Sequence, residues 1–158
     1  MPPPLLIDID SLPLDRVLWT RDQIYEQLPQ RYEFMMLDGL LYLDARNAVA
    51  VAFRDVRADE FWVRGHIPGR PLLPGVLMLE AAAQTSAIAA LKLTNFKGKF
   101  IGLGGVDKVK FRDAIVPGNR LHILVKLTEL KSRRIISATQ GWVDGKIVFE
   151  GQITGMVM

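Results

Sequence analysis

Apolar positions along this chain change their spacing several times, and each change marks an element. From Lys108 to Arg112 cations alternate with apolar residues, the two-residue period of a strand with one wet and one buried face. Longer runs of strand-forming residues follow at Leu121 to Leu130, Ile135 to Val143 and Lys146 to Val157. Their punctuation is that of a meander: Pro117-Gly118-Asn119, the basic turn Lys131-Ser132-Arg133-Arg134, and Asp144-Gly145, a strong two-residue hairpin signal. Earlier, Phe34 to Leu43 and Ala48 to Phe53 predict two more strands joined by a turn at Ala45-Arg46-Asn47. Between the two groups the period changes. Pro74 opens a run to about Leu93 rich in Ala, Leu and Met and apolar on nearly every face, so a long helix is expected that other elements must surround. The expected fold class is α+β, with an antiparallel sheet curled around one long helix.

Towards the N-terminus, Thr20 can cap a short helix, because Gln23 stands at the reciprocal capping-box position and Asp22 lies near the positive helix end. Leu28-Pro29 should end that helix. Residues 1–19, with Pro2, Pro3, Pro4 and Pro13, read as an extended arm, and residues 20–158 as a single domain. The segment Arg54 to Pro74 is irregular, charged first and then rich in glycine and proline.

Composition narrows the classes. With 158 residues, 49% hydrophobic and 23% charged, the chain can bury a sizeable core and is not disordered. A net charge of +3 is far from a nucleic-acid footprint, although it favours acidic partners. No cysteine is present, which excludes disulfides, thiolate catalysis and Cys-based zinc sites, and suits a cytoplasmic protein. The start lacks the pattern of a signal peptide. Gly75 to Leu91 approaches membrane-spanning length, but Glu80 and Gln84 interrupt it, and no membrane role is expected. Two histidines give no case for a metal site.

The chemistry concentrates between residues 65 and 84. Leu77, Leu79, Ala81, Ala82, Ala83 and Ile88 leave little polar surface around Glu80, so this carboxylate is expected to be buried. Burial disfavours the charged form, and a rise of about two to three units would keep the acid protonated near neutrality. His66, in a Gly-His-Ile-Pro-Gly turn, suits the matching base, and equally suits a histidine that only bonds nearby backbone. Gly75 opens the helix, where free amides and the positive dipole end can hold an oxyanion. Gln84 shares the Glu80 face at i, i+4, and can orient it, orient a water, or make a structural bond. Base, acid and oxyanion site suit proton abstraction beside a carbonyl with loss of a β-hydroxyl. Other candidates are weaker. His122 alternates with strand residues, Lys97, Lys99, Lys108, Lys110 and Arg112 suit a solvated strand face or an acidic partner, and Met35, Met36, Met156 and Met158 suit packing.

The run G-H-x-P-G-x-P-x-x-P-G-V-L-x-x-E-A-x-A-Q, with LPQRYEFMMLD before it and GGVDKVKF, VPGN and WVDGK after it, resembles the bacterial 3-hydroxyacyl-acyl-carrier-protein dehydratases of hotdog fold, from about Leu28 to Val157. The resemblance implies catalytic roles for His66 and Glu80, and a thioester-polarising amide at Gly75. It implies dehydration of (3R)-3-hydroxyacyl thioesters to trans-2-enoyl thioesters in fatty-acid or related lipid biosynthesis. It also implies no cofactor beyond the phosphopantetheine of the acyl-carrier protein that carries the substrate. A homodimer with the site at its interface, or a hexamer built from three dimers, is implied as well. Glu80 places the chain with the dehydratase-only branch, since the isomerising branch carries aspartate there. Departures from the family pattern fall at Gln30, Glu33, Ile67, Gly102 to Gly105 and Asp113-Ala114, and the arm is longer than usual. They motivate two other readings, a non-catalytic acyl-carrier-binding subunit and an acyl thioesterase.

Overall fold

A computed structural model describes residues 1–96 and 98–158; Lys97 lies outside the described residues. Seven strands form one antiparallel sheet in the order β1-β2-β3-β5-β6-β7-β4. They are β1 (Trp19–Thr20), β2 (Gly39–Asp44), β3 (Val49–Asp55), β4 (Ile101–Phe111), β5 (Arg120–Leu130), β6 (Arg134–Val143) and β7 (Lys146–Val157). A short helix, α1 (Arg21–Tyr25), and a long one, α2 (Gly75–Leu93), complete the fold. This is the α+β hotdog arrangement expected from the sequence.

The core sits between α2 and the inner face of the sheet. Ala50 and Ala52 of β3 meet a helix carrying Ala81, Ala82, Ala89 and Ala90, and small side chains on both sides let the backbones come close. Ile123, Val125, Ile135, Phe149 and Ile153 fill the rest of that layer. The helix is long and apolar enough to cross a membrane, yet most of its residues are buried in this core. On the outer face, Ile9 packs on Val51 and Leu124, with Ile7, Leu12, Tyr42 and Trp142 around it. The segment is pinned by Gln140, whose Oε1 accepts from the Leu6 N–H (2.8 Å) and whose Nε2 donates to the Pro4 carbonyl (3.0 Å). Covered on both faces, β3 is buried along almost its whole length.

Three boundaries differ from the sequence reading. The capping box at Thr20 forms, but α1 stops at Tyr25, before Leu28-Pro29. The predicted strand from Phe34 starts only at Gly39. Residues 32–34 form a 3₁₀ turn, and the backbone of residues 34–37 bonds to side chains rather than to a neighbouring strand. Strand β4 begins at Ile101 rather than Lys108, because its glycine-rich half carries little strand propensity and is held by β7 across the ladder. Its alternation misleads as well. Leu103, Val106 and Phe111 pair with Gly155, Ile153 and Phe149 on the inner face, yet they are 54%, 41% and 50% exposed, because β4 is an edge strand that α2 meets only sparsely, with Phe111 against Gly75.

Candidate active site

His66 sits on the irregular segment between β3 and α2, and that segment is anchored from both ends. Buried Arg54, near the end of β3, pairs with Glu60 and donates to the Met36 carbonyl at 3.0 Å. Glu60 in turn accepts from the Arg57 N–H at 2.8 Å. Burial pulls the Arg54 guanidinium below its usual pKa. Downstream, the Leu73 N–H donates to the Ile115 carbonyl at 2.8 Å. Between these anchors His66 and Leu72 exchange bonds: the Leu72 N–H donates to the His66 carbonyl (2.9 Å), and His66 Nδ1 lies 2.7 Å from the Leu72 carbonyl. A carbonyl oxygen only accepts, so Nδ1 carries a proton, and in the neutral ring Nε2 is the nitrogen with the lone pair. The ring is exposed, with that lone pair free to take a proton.

Glu80 lies on α2 at the end of a chain of buried hydrogen bonds. Its Oε1 accepts from Gln84 Nε2 at 2.8 Å, and the same nitrogen donates to the Phe34 carbonyl at 2.8 Å. Gln84 Oε1 accepts from the Tyr25 hydroxyl at 2.6 Å and from the Met36 N–H at 3.3 Å. The Tyr25 oxygen accepts from the Leu37 N–H at 2.8 Å. Tyr25 and Gln84 are 3% and 1% exposed. Burial raises the Tyr25 pKa well above that of a free phenol, so the hydroxyl keeps its proton.

Glu80 itself is half-buried, not buried as its apolar neighbours had suggested. The reason is the helix face it belongs to: Val76, Leu79, Glu80 and Ala83 share one side at helical spacing, Leu79 and Ala83 pack only partly against the core, and Val76 is 71% exposed. This face neighbours β4, whose Leu103, Val106 and Phe111 are also exposed, so the single chain leaves apolar side chains uncovered on both elements, with one carboxylate among them.

Gly75 opens α2, where an N–H has no helical carbonyl to bond, while the Leu77 and Met78 N–H groups both reach back to the Pro74 carbonyl. The Phe111 ring lies against this glycine, and a Cβ there would meet ring carbons at 2.8 to 3.1 Å. Only glycine lets the ring come that close.

The structure therefore joins Gln84 to Glu80 and sets Gly75 at the helix end. No hydrogen bond links His66 to Glu80 among the described residues of one chain. His122 lies elsewhere, half-buried and edge-on to Trp142, its pKa lowered first by burial and then by Arg120. Lys99, Lys108 and Lys110 are exposed, and Arg112 is tied to Glu150 at 2.6 Å. Tyr25, Arg54 and Phe111 were missed by sequence reasoning. Arg54 alone carried a signal, a cation ending the apolar run of β3.

Comparison with known proteins follows the same lines. A FabA-like domain matches residues 28–152. The chain is 38% identical over 132 residues to a 3-hydroxyacyl-[acyl-carrier-protein] dehydratase FabZ of Clostridium botulinum (strain Loch Maree / Type A3), covering 84% of this chain and 91% of that one. It is 39% identical over 138 residues to the FabZ of Enterococcus faecalis (strain ATCC 700802 / V583), covering 87% and 97%. Among solved structures it resembles the dehydratase heterocomplex ApeI:P from Xenorhabdus doucetiae, with TM-score 0.72, 16% identity, and coverage of 89% and 91%. It also resembles the conserved protein PA5202 from Pseudomonas aeruginosa, with TM-score 0.64, 17% identity, and coverage of 84% and 98%. At these identities the structures speak for the fold alone.

Proposed function

The chain belongs to the FabA-like domain family, and we propose that it dehydrates (3R)-3-hydroxyacyl thioesters on acyl-carrier protein to trans-2-enoyl thioesters in fatty-acid biosynthesis. The Gly75 amide holds the thioester oxygen and stabilises the charge that develops there. His66 Nε2 takes the proton from C2, the released electron pair forms the C2–C3 double bond, and the C3–O bond breaks. Glu80 Oε2 gives its proton to the departing hydroxyl, which leaves as water. Imidazolium and carboxylate are then reset by one proton passing back. The step draws on two side chains and one amide, with the acyl group carried on phosphopantetheine.

The observation that carries this reading is the preset pair of proton groups. Nδ1 of His66 is committed to Leu72, which leaves Nε2 as a base, and Oε1 of Glu80 is committed to Gln84, which leaves Oε2 as the acid. A second copy of the chain lying over the exposed apolar side chains of α2 and β4 supplies what one chain lacks. It covers the Val76–Ala83 face and the inner face of β4, excludes water, and brings its His66 to this chain's Glu80. The working unit is a homodimer, or a hexamer of three dimers, located in the cytoplasm. Residues 20–158 are its hotdog domain and residues 1–19 an arm that packs on the outer sheet face around Ile9 and joins the sheet at Trp19.

Purified protein given a 3-hydroxyacyl-carrier-protein substrate should form the enoyl product, and His66→Ala or Glu80→Gln should abolish it. Mixed dimers of the two variants should recover part of the activity, because one of their two sites is intact. Full activity in either single variant refutes its role. Release of free carrier thiol in place of enoyl product identifies hydrolysis instead.

A further inference from the structure

We propose that Tyr25 is a positioning residue for the dehydration, acting through Gln84 on the Glu80 carboxyl; this rests on the dehydratase reading above. Each link in the chain has only one possible direction. The Leu37 N–H can only donate, so the Tyr25 oxygen accepts it at 2.8 Å, and the single hydroxyl proton goes to Gln84 Oε1 at 2.6 Å. That oxygen also faces the Met36 N–H, so the amide cannot be flipped. Both Nε2 hydrogens are then assigned, one to the Phe34 carbonyl and one to Glu80 Oε1, each at 2.8 Å. The last bond selects between the two carboxyl oxygens. Oε1 is held as an acceptor, and Oε2 carries the proton that reaches the leaving hydroxyl.

Of the two groups that fix Gln84 Oε1, the tyrosine is the closer by far, 2.6 Å against 3.3 Å. Without it a single long bond holds that oxygen, and the Phe34 carbonyl is left as the main hold on the amide's orientation. A rotated Gln84 turns its oxygen toward Glu80, where two acceptors repel. Tyr25 lies on α1, 59 residues from Gln84, and touches neither the substrate nor the reacting atoms. Its sequence context shows only an apolar position beside Ile24.

The test is Tyr25→Phe, which removes one oxygen and keeps the ring, assayed with the full-length protein on the same substrate. The expected result is a fall in kcat of about tenfold with little change in KM, the scale on which outer hydrogen bonds to catalytic groups act. On a Gln84→Leu background the same substitution should lower kcat no further, because the relay is already cut. A purely structural role for Tyr25 would lower activity equally on both backgrounds. If Tyr25→Phe does not fold, Gln84→Leu alone decides, since it cuts the relay while leaving the Tyr25 bond to Leu37. An unchanged kcat in Tyr25→Phe, equal losses on both backgrounds, or an unchanged kcat in Gln84→Leu overturns the proposal while the dehydratase reading stands. Absence of enoyl product from the unaltered protein overturns both.

Discussion

Gly75→Ala adds one methyl group where the Gly75 amide, the proposed oxyanion donor, and the Phe111 ring meet. The new Cβ would stand 2.8 Å from Phe111 Cζ and 2.9 Å from Cε1. Ordinary carbon contacts begin near 3.5 Å, so ring and helix must part by about 0.7 Å. Overpacking of this kind costs about 1–3 kcal/mol, and the low end applies because Phe111 is half exposed and can swing outward. Alanine returns up to about 1 kcal/mol in helix propensity. The two nearly cancel, and the midpoint of thermal unfolding should move by no more than about 4 °C. Activity should respond much more. A displacement approaching 1 Å at a reacting centre costs up to about 100-fold, so kcat should fall by about 10- to 100-fold. The assay is steady-state enoyl formation beside a thermal melt, and Gly75→Ala/Phe111→Ala should recover much of the loss by restoring room. Full kcat in Gly75→Ala refutes the assignment of this amide. A large loss that Phe111→Ala does not relieve refutes the contact as its cause.

Leu103→Arg, on the exposed inner face of β4, should convert the protein to a monomer and abolish turnover, read by light scattering and by the same assay. Glu60→Ala leaves the Arg54 charge buried without its partner and should destabilise the fold by about 3–5 kcal/mol in a denaturant titration. Arg54→Met/Glu60→Leu should recover most of that stability. For His122 the folded pKa is lowered by burial, so the unfolded chain binds more protons as the pH falls. Its contribution to stability is complete above the unfolded value of about 6.5 and is lost progressively below it. The melting temperature between pH 7 and pH 5 should therefore drop less in His122→Gln than in the parent, and identical slopes would contradict this.

Much of the molecule could be read from residue patterns because the strongest signals are local. The Thr20 box, the Asp144-Gly145 turn and the alanine-rich run after Pro74 each act over a few residues. Errors arose where tertiary partners overrule the local pattern. Residues 34–37 are apolar enough for a strand, but Gln84 and Tyr25 take their backbone groups. The apolar positions of β4 promise burial that one chain does not supply. Glu80 sits among apolar neighbours in sequence, yet it lies on a face of α2 that the core covers only in part. The motif around His66 and Glu80 marked the residues proposed as base and acid. The residues that orient them were hidden, because a buried tyrosine 59 positions from its glutamine leaves no mark at short range.

Removal of water from a 3-hydroxyacyl thioester by His66 and Glu80 can be followed most directly by intact mass measurement of a 3-hydroxyacyl-carrier protein after incubation with the purified enzyme and with His66→Ala. The parent should shift the acyl-carrier protein down by the mass of one water, towards an equilibrium mixture, and the variant should leave it unchanged. An unchanged mass with the parent, conversion to the bare carrier thiol, or equal conversion by His66→Ala would contradict this mechanism.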